Sequence, residues 1–219
     1  MNIIQTWKSN TLPKQLEELS NKIKENNPNF KYLFFDDNAI INFMKICMPE
    51  YIDFFVNLKH KIQQIDFFRY LVVYYYGGIY LDLDIDINHN LDELYNNPEI
   101  CKFPIELQNI TDTIITIQGF NSLIGNYGFY APKKHPFLKK IIDNIVNNRI
   151  PDNIIAVAQK DNQDPPEQVY VYCTTGPLLV TQTYIDYDNN DIELIKPEPF
   201  VSNCFGKYGL HRCYGTWKL

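Results

Sequence analysis

The sequence predicts an α/β fold in which a mixed, mostly parallel β-sheet is flanked by helices. Two observations carry that expectation. Short β-branched or aromatic runs alternate with segments of helical period from the N-terminus onward, and strand–helix repeats in this order build parallel sheets covered on both faces. In the segment Ile65–Asp86, IDFFRYLVVYYYGGIYLDLDID, an apolar helical run meets a Gly-Gly break, a short apolar strand and three alternating carboxylates.

Asn2 to Thr6 reads as the first strand, after which Pro13 opens an amphipathic helix with Leu16, Leu19 and Ile23 on one face. Phe30 to Phe35 reads as a second strand, Asp36-Asp37-Asn38 as a turn and helix cap, and Ala39 to Met48 as a helix, with Pro49 starting a further helical segment. A helix from Ile62 to Tyr76 delivers the chain to the carboxylate strand. The β-branched residues from Cys101 to Gln118 favour strands, and His135 to Asn148 reads as a helix with Phe137, Leu138, Ile141, Ile142 and Ile145 inward. Pro151 to Pro166 reads as a mobile polar insertion. Gly176-Pro177 opens a helix to about Tyr184, capped by Thr174 or Thr175, and the tail reads as short strands and loops.

A chain of 219 residues can bury one substantial core, so residues 1–219 are expected to form a single domain. A net charge of −6 argues against nucleic-acid binding, and Lys133-Lys134 and Lys139-Lys140 read as solvated positions. The five cysteines are odd in number and contain no C-x-x-C, which suggests a reducing compartment and no zinc site. Cys204 and Cys213 are the two that proximity would allow to pair. With no signal peptide and no run of about eighteen apolar residues, the protein is expected to be soluble and cytoplasmic. Heavy use of Asn, Ile and Lys fits an AT-rich microbial or viral genome.

In the central segment Ile79, Leu81, Leu83 and Ile85 alternate with Tyr80, Asp82, Asp84 and Asp86, the pattern of a half-buried strand. Carboxylates two apart on a strand project the same way. Gly77 and Gly78 allow a tight turn from helix to strand, placing the acids at a strand end, where open α/β sheets bind ligands. Clustered carboxylates at neutral pH call for a cation or a hydrogen-bonding partner, and Mg²⁺ or Mn²⁺ suits oxygen ligands. The pattern therefore points to a metal-assisted phosphate or nucleotide-sugar site, with a solvated acidic strand end as the plainer reading.

Asp66, Arg69, Tyr76-Gly77-Gly78, Tyr80 and Asp82-Leu83-Asp84 resemble the DXD segment of the sugar transferases in glycosyltransferase family 32. That family includes yeast mannosyltransferases and is distantly related to glucosylating bacterial toxins. Ile3-Ile4-Gln5-Thr6-Trp7-Lys8 is similar to its opening strand, Phe35-Asp36-Asp37 to its second strand end, and Asn126 to Pro136 to the segment ending in a His-Pro pair. His211 and Thr216-Trp217 resemble its closing His and Ser-Trp elements, with Thr replacing the commoner Ser. A bare D-x-D is weak, whereas R-x10-Y-L-D-x-D behind a Gly-Gly is specific.

The resemblance implies a GT-A, Rossmann-like nucleotide-diphospho-sugar transferase. It further implies metal-dependent hexose transfer from a UDP- or GDP-sugar to a glycan or other hydroxyl acceptor, with retention of configuration. No carboxylate is clearly placed as a covalent nucleophile, so front-face attack is expected. By the resemblance, Asp66, Arg69 and Asp84 are the catalytic residues. Trp7, Asp66, Arg69, Tyr80, Asp82, Asp84, Asn126, Thr216 and Trp217 bind the donor, and Asp82, Asp84 and His211 hold Mn²⁺ or Mg²⁺. Each has a structural alternative: a surface ion pair for Asp66 and Arg69, a core ring for Trp7, a packed ring for Tyr80, a turn for Asn126, a satisfied structural histidine for His211. Asp37 and Asn38 serve as a helix cap, and Asp86 is a spare carboxylate beside the acceptor or idle. Two other functions fit less of the chain: a haloacid-dehalogenase-like phosphatase using the D-x-D, and a non-catalytic sugar-nucleotide or glycan-binding protein.

Overall fold

The computed structural model describes residues 1–108, 120–188, 190–199, 201 and 204–215. In chain order come β1 (Asn2–Thr6), α1 (Lys14–Asn26), β2 (Lys31–Phe35), α2 (Asp37–Cys47), α3 (Ile52–Val56), α4 (Lys61–Tyr76) and β3 (Gly78–Leu81). There follow β4 (Ile85–Ile87), β5 (Cys101–Gln108), β6 (Ser122–Ile124), β7 (Gly128–Ala131), α5 (Pro136–Val146) and α6 (Asp152–Asp161). The last described elements are α7 (Pro166–Thr174), α8 (Pro177–Ile185), β8 (Ile192–Ile195), β9 (Cys204–Phe205) and β10 (Gly209–His211).

In the main sheet β2, β1, β3, β7, β5 and β6 lie side by side in that order, and β8 joins β5. Strands β1, β2, β3, β5 and β8 run one way and β6 and β7 the other. A second, antiparallel sheet has the order β4, β10, β9. Alternation along the strands sorts side chains into two cores. Ile4, Tyr80 and Phe129 face a layer built from α2, α4, α5 and α8, whereas Ile3, Ile79, Leu81 and Tyr130 face Ile23 of α1 and Ile85, Ile87 and Phe205 of the small sheet. Phe129 sits at the middle of the first core, stacked on Phe103 at 4.6 Å and on Tyr80 at 5.8 Å between ring centroids.

Most expected elements are present within a residue or two of their expected limits, and four expectations change. The carboxylate strand is buried on both faces and is not continuous. It stops at Leu81, the Asp82 carbonyl accepts the Ile85 N–H at 3.2 Å, and the chain re-emerges as β4 in the other sheet. Asp82 and Asp84 therefore meet across a turn, not by strand parity. The expected polar insertion contains α6, which buries Ile155 and Ala158, three apart on one helical face. Gly176 precedes α8 without a side-chain cap, and Thr174 and Thr175 have other partners. Cys204 and Cys213 form no disulfide, and none of the five cysteines is disulfide-bonded. The expected strand residues 109–118 lie outside the described residues. No helix among the described residues is long and apolar enough to cross a membrane.

The passage from α4 to β3 rests on two glycines. Gly77 has φ 69° and its N–H closes the helix on the Val73 carbonyl at 2.7 Å. Gly78 has φ 129°, and a Cβ there would lie 2.5 Å from the Asn2 carbonyl oxygen of β1. Gly78→Ala is expected to cost about 1–3 kcal/mol of stability in urea unfolding, from backbone strain and this clash.

Candidate active site

Helix α4 runs back along β3, which decides what meets the strand end. The stretch from Asp66 to Tyr76 spans about 15 Å of helix, and Gly78 to Asp82 about 13 Å of strand. Asp66 and Arg69 consequently come level with Asp82, on the strand beside Trp7 and Thr6 at the end of β1.

Arg69 joins the carboxylates. Its Nη2 lies 3.2 Å from Asp66 Oδ1 and 3.3 Å from Asp82 Oδ1, and its Nη1 donates to the Asn126 carbonyl at 2.8 Å. The guanidinium also lies over the Tyr80 ring, 4.9 Å from its centroid. Asp66 accepts from Asn126 Nδ2 at 3.1 Å on one oxygen and from Thr175 Oγ1 at 2.9 Å on the other. The Tyr70 hydroxyl accepts from Asn126 Nδ2 and donates to the Thr175 carbonyl, both at 2.9 Å. The Tyr80 hydroxyl donates to Asp82 Oδ1 at 2.8 Å and lies 3.3 Å from Thr6 Oγ1.

Asp66 and Arg69 are each 3% exposed, so they are a buried network and not the surface ion pair that their spacing alone allows. Burial raises the carboxyls of Asp66 and Asp82, and the nearby guanidinium opposes that rise. Burial also disfavours the charge on Arg69, but Asp82, Tyr80 and Asp66 hold it above its usual range. Removing one member of such a pair leaves an uncompensated buried charge, at a cost of about 3–5 kcal/mol.

On the open side of Asp82, one ligand atom from each of Asp82, Asp84 and His211 lies within 4.8 Å of the others. His211 Nε2 is 3.3 Å from Asp84 Oδ1, and Asp84 Oδ2 accepts the Tyr214 N–H at 2.9 Å. The His211 ring is seated by stacking on Tyr127, with centroids 4.3 Å apart and planes 23° apart. Burial lowers the imidazole pKa, but the hydrogen bond and charge of Asp84 outweigh it and the net shift is upward. Asp84 is held below the usual carboxylate range by the same partner, against its own burial. Two carboxylates and an imidazole, half-buried and unobstructed by an arginine on the Asp84 side, are a donor set that fits Mn²⁺ or Mg²⁺.

Asp86 does not belong to this cluster and is not idle. Its carboxylate takes Lys22 Nζ at 2.5 Å and the Arg212 guanidinium, and it stands opposite Leu210 in the β4–β10 ladder. Burial opposes its charge, but Lys22 and Arg212 keep its carboxyl low. The contact ties α1 to the strand that carries His211.

Of the residues singled out in the sequence, Asp66, Arg69, Asp82, Asp84, Asn126 and His211 come together. Trp7 lies half-buried at the end of β1, its N–H bonded to the Phe35 carbonyl at 3.2 Å and Lys8 Nζ 5.5 Å from its ring centroid. Tyr80 is 0% exposed and lies beneath Asp82, so its hydroxyl meets Asp82 and Thr6 and not the cleft. Asp36, not Asp37 or Asn38, caps α2, through the Ala39 N–H at 2.8 Å. Thr216 and Trp217 lie outside the described residues. Sequence reasoning missed Thr175, Tyr70, Tyr127, Lys22 and Arg212. Thr174-Thr175-Gly176-Pro177 was visible as a helix start, but nothing local could reveal that Thr175 reaches Asp66, 109 positions earlier.

Residues 13–100 match the family described as a glycosyltransferase sugar-binding region containing the DXD motif. Inositol phosphoceramide mannosyltransferase 3 of Schizosaccharomyces pombe is 28% identical over 145 residues, covering 65% of this chain and 36% of the relative. Mannosyl phosphorylinositol ceramide synthase SUR1 of Saccharomyces cerevisiae is 29% identical over 223 residues, covering 99% of this chain and 51% of the yeast protein. The chain thus spans about half or less of the length of these curated relatives. The solved structure of PaToxG glycosyltransferase superposes with a TM-score of 0.50 at 15% identity, over 84% of this chain and 67% of that one, a likeness of fold. The chain is accordingly related to the DXD-containing sugar transferases of glycosyltransferase family 32, to which residues 13–100 are similar, and it has a GT-A fold.

Proposed function

We propose that this chain transfers a hexose from a UDP- or GDP-sugar to a glycan or other hydroxyl acceptor, with retention of configuration, and that residues 1–219 act as one catalytic domain. The observation that carries this is the convergence of Asp82, Asp84 and His211 beside the buried Asp66–Arg69 pair. The names of the relatives favour mannose as the hexose.

Asp82, Asp84 and His211 hold Mn²⁺ or Mg²⁺, which when bound supplies positive charge beside the departing diphosphate. Trp7 offers a flat ring for the nucleotide base at the end of β1. A carboxylate has about four lone-pair sites, and Arg69, Asn126 and Thr175 fill three of those on Asp66. The fourth is left for a hydroxyl of the donor sugar. Arg69 orients Asp66 and offsets the charge of Asp82, and Tyr80 acts through Asp82. Asn126 borders the sugar, and by the family resemblance Thr216 and Trp217 count among the donor-binding residues. The acceptor oxygen bonds to the anomeric carbon as the bond to the diphosphate oxygen breaks. The bonding pair leaves with that oxygen, which takes the acceptor proton on the same face. In a haloacid-dehalogenase-like phosphatase Asp82 would be a free nucleophile, whereas here Arg69 and Tyr80 share its Oδ1.

In a thermal-shift and hydrolysis screen of UDP- and GDP-sugars with Mn²⁺, Mg²⁺ or EDTA, one donor is expected to stabilise the protein only with the ion. The gain should be about 2.7 kcal/mol at a hundred times its Kd, with slow release of free sugar. Asp84→Asn should lose that stabilisation and the hydrolysis together, and full retention of both would sink the proposal.

A pH dependence follows from His211 in the ion-free protein. Its pKa is raised from 6.5 by Asp84, so the pair's contribution is fully present below the unfolded value and is lost as pH rises through the folded one. His211→Asn should therefore melt below the wild type at about pH 6, with the gap narrowing as pH rises above the unfolded value and through the raised folded one. Adding Mn²⁺, which competes with the proton, should reverse the trend and widen the gap as pH rises. A gap independent of pH would rule out the pair as its source.

A further inference from the structure

Glu106 is a carboxylate near the cleft to which the sequence gives no role. It lies on β5, where the pairing with β6 steps from Ile105–Ile124 to Leu107–Leu123, so that Glu106 is the extra residue of a β-bulge. Bulges re-aim a side chain and recur beside active sites. Its Oε2 would be 3.2 Å from a Cβ at Gly125, the residue before Asn126, so the absence of a side chain there leaves the carboxylate its seat. No described residue donates a hydrogen bond to it. It is half-buried, and its atoms are not among those that converge at Asp82, Asp84 and His211.

Sheet order gives the location a meaning. The nucleotide end of the proposed site is at β1, with Trp7, and the carboxylate turn follows β3. Glu106 stands two strands further on, beyond β7. A diphosphate reaching from Trp7 to Asp82 and Asp84 lies on the near side, so what reaches Glu106 is the far end of the reacting pair. Burial raises the Glu106 carboxyl first, with Asp82 adding to the rise and His211 opposing it, which puts the group within electrostatic range of the turn. A carboxylate so placed repels phosphate. It calls for neutral donors, and sugar or polyol hydroxyls are such donors.

Building on the transferase function proposed above, we propose that Glu106 binds the acceptor: it accepts hydrogen bonds from hydroxyls of a neutral polyol flanking the attacking one. The attacking hydroxyl keeps its proton for the departing phosphate. Glu106 thereby sets which hydroxyl faces the anomeric carbon and favours the acceptor over water.

The test compares wild type with Glu106→Ala and the isosteric Glu106→Gln, the latter covering the case in which the alanine variant fails to fold. With the donor found in the screen and Mn²⁺, transfer to methyl α-D-mannoside, lactose and myo-inositol is measured against donor hydrolysis. The expected result is a fall of about ten- to a hundredfold in the ratio of transfer to hydrolysis, with partial recovery in Glu106→Asp. An unchanged ratio, or a wild type that hydrolyses donor yet transfers to none of the three probes, overturns the inference while leaving the transferase function standing. A wild type that neither binds nor hydrolyses any nucleotide sugar overturns both.

Discussion

The site depends on one buried cation. Asp66 and Asp82 belong to different elements, and each would be driven toward its neutral form by burial if it stood alone. Arg69 reaches both from a position 3% exposed, and the low-dielectric surroundings that penalise the three charges separately strengthen their attraction together. The helix, the strand end and the loop before β7 are thus fastened to one another at the place where a ligand would enter. A guanidinium suits this position because it presents several donors in one plane. A lysine would supply the charge without the simultaneous contacts to Asp66, Asp82 and the Asn126 carbonyl.

Around that centre the inward-facing side chains and those on the open side are held in different ways. Tyr80, Thr6, Tyr70 and Thr175 are inward-facing partners whose hydrogen bonds reach Asp66, Asp82, Asn126 or one another. Asp84 and His211 face the open side and are fixed by a backbone N–H and an aromatic ring. Asp86, though it continues the run of acids, turns away to Lys22 and Arg212. Three acids at alternating positions therefore do three different things: one anchors the buried network, one shares the His211 contact, one braces the small sheet. The break in the strand at Leu81 is what allows this, since an unbroken strand would have sent all three carboxylates the same way.

The fold was legible where local rules act alone. Proline and aspartate marked helix starts, the glycine pair marked the turn into β3, and the inward residues of α5 were readable from their spacing. The helix α6 was hidden because its apolar residues form one continuous run, Ile154 to Ala158, without a helical period, and of these only Ile155 and Ala158 are buried. The candidate site was legible in its acids, Arg69 and His211, because D-x-D, the R-x10-Y spacing and the order of motifs lie along the chain. Thr175, Tyr127 and Lys22 were not, since each meets its partner only after strands and helices are stacked. Parity also misplaced Asp86, because a period of two holds only while the strand lasts.

The small sheet has a consequence for how the protein comes into being. β4 follows directly from the carboxylate turn, yet its partner β10 is drawn from the end of the described chain and brings His211 with it. During synthesis, structure forms from the N-terminus as residues are added at about 5–20 per second. A ribosome-bound chain that has made the acids would have to wait for well over a hundred further residues before the histidine arrives. Until then the half-made protein would carry a cluster of acids with neither imidazole nor Arg212 beside it, unable to grip a cation firmly. Competence to hold the ion would be acquired only once His211 has been made and β10 has paired with β4.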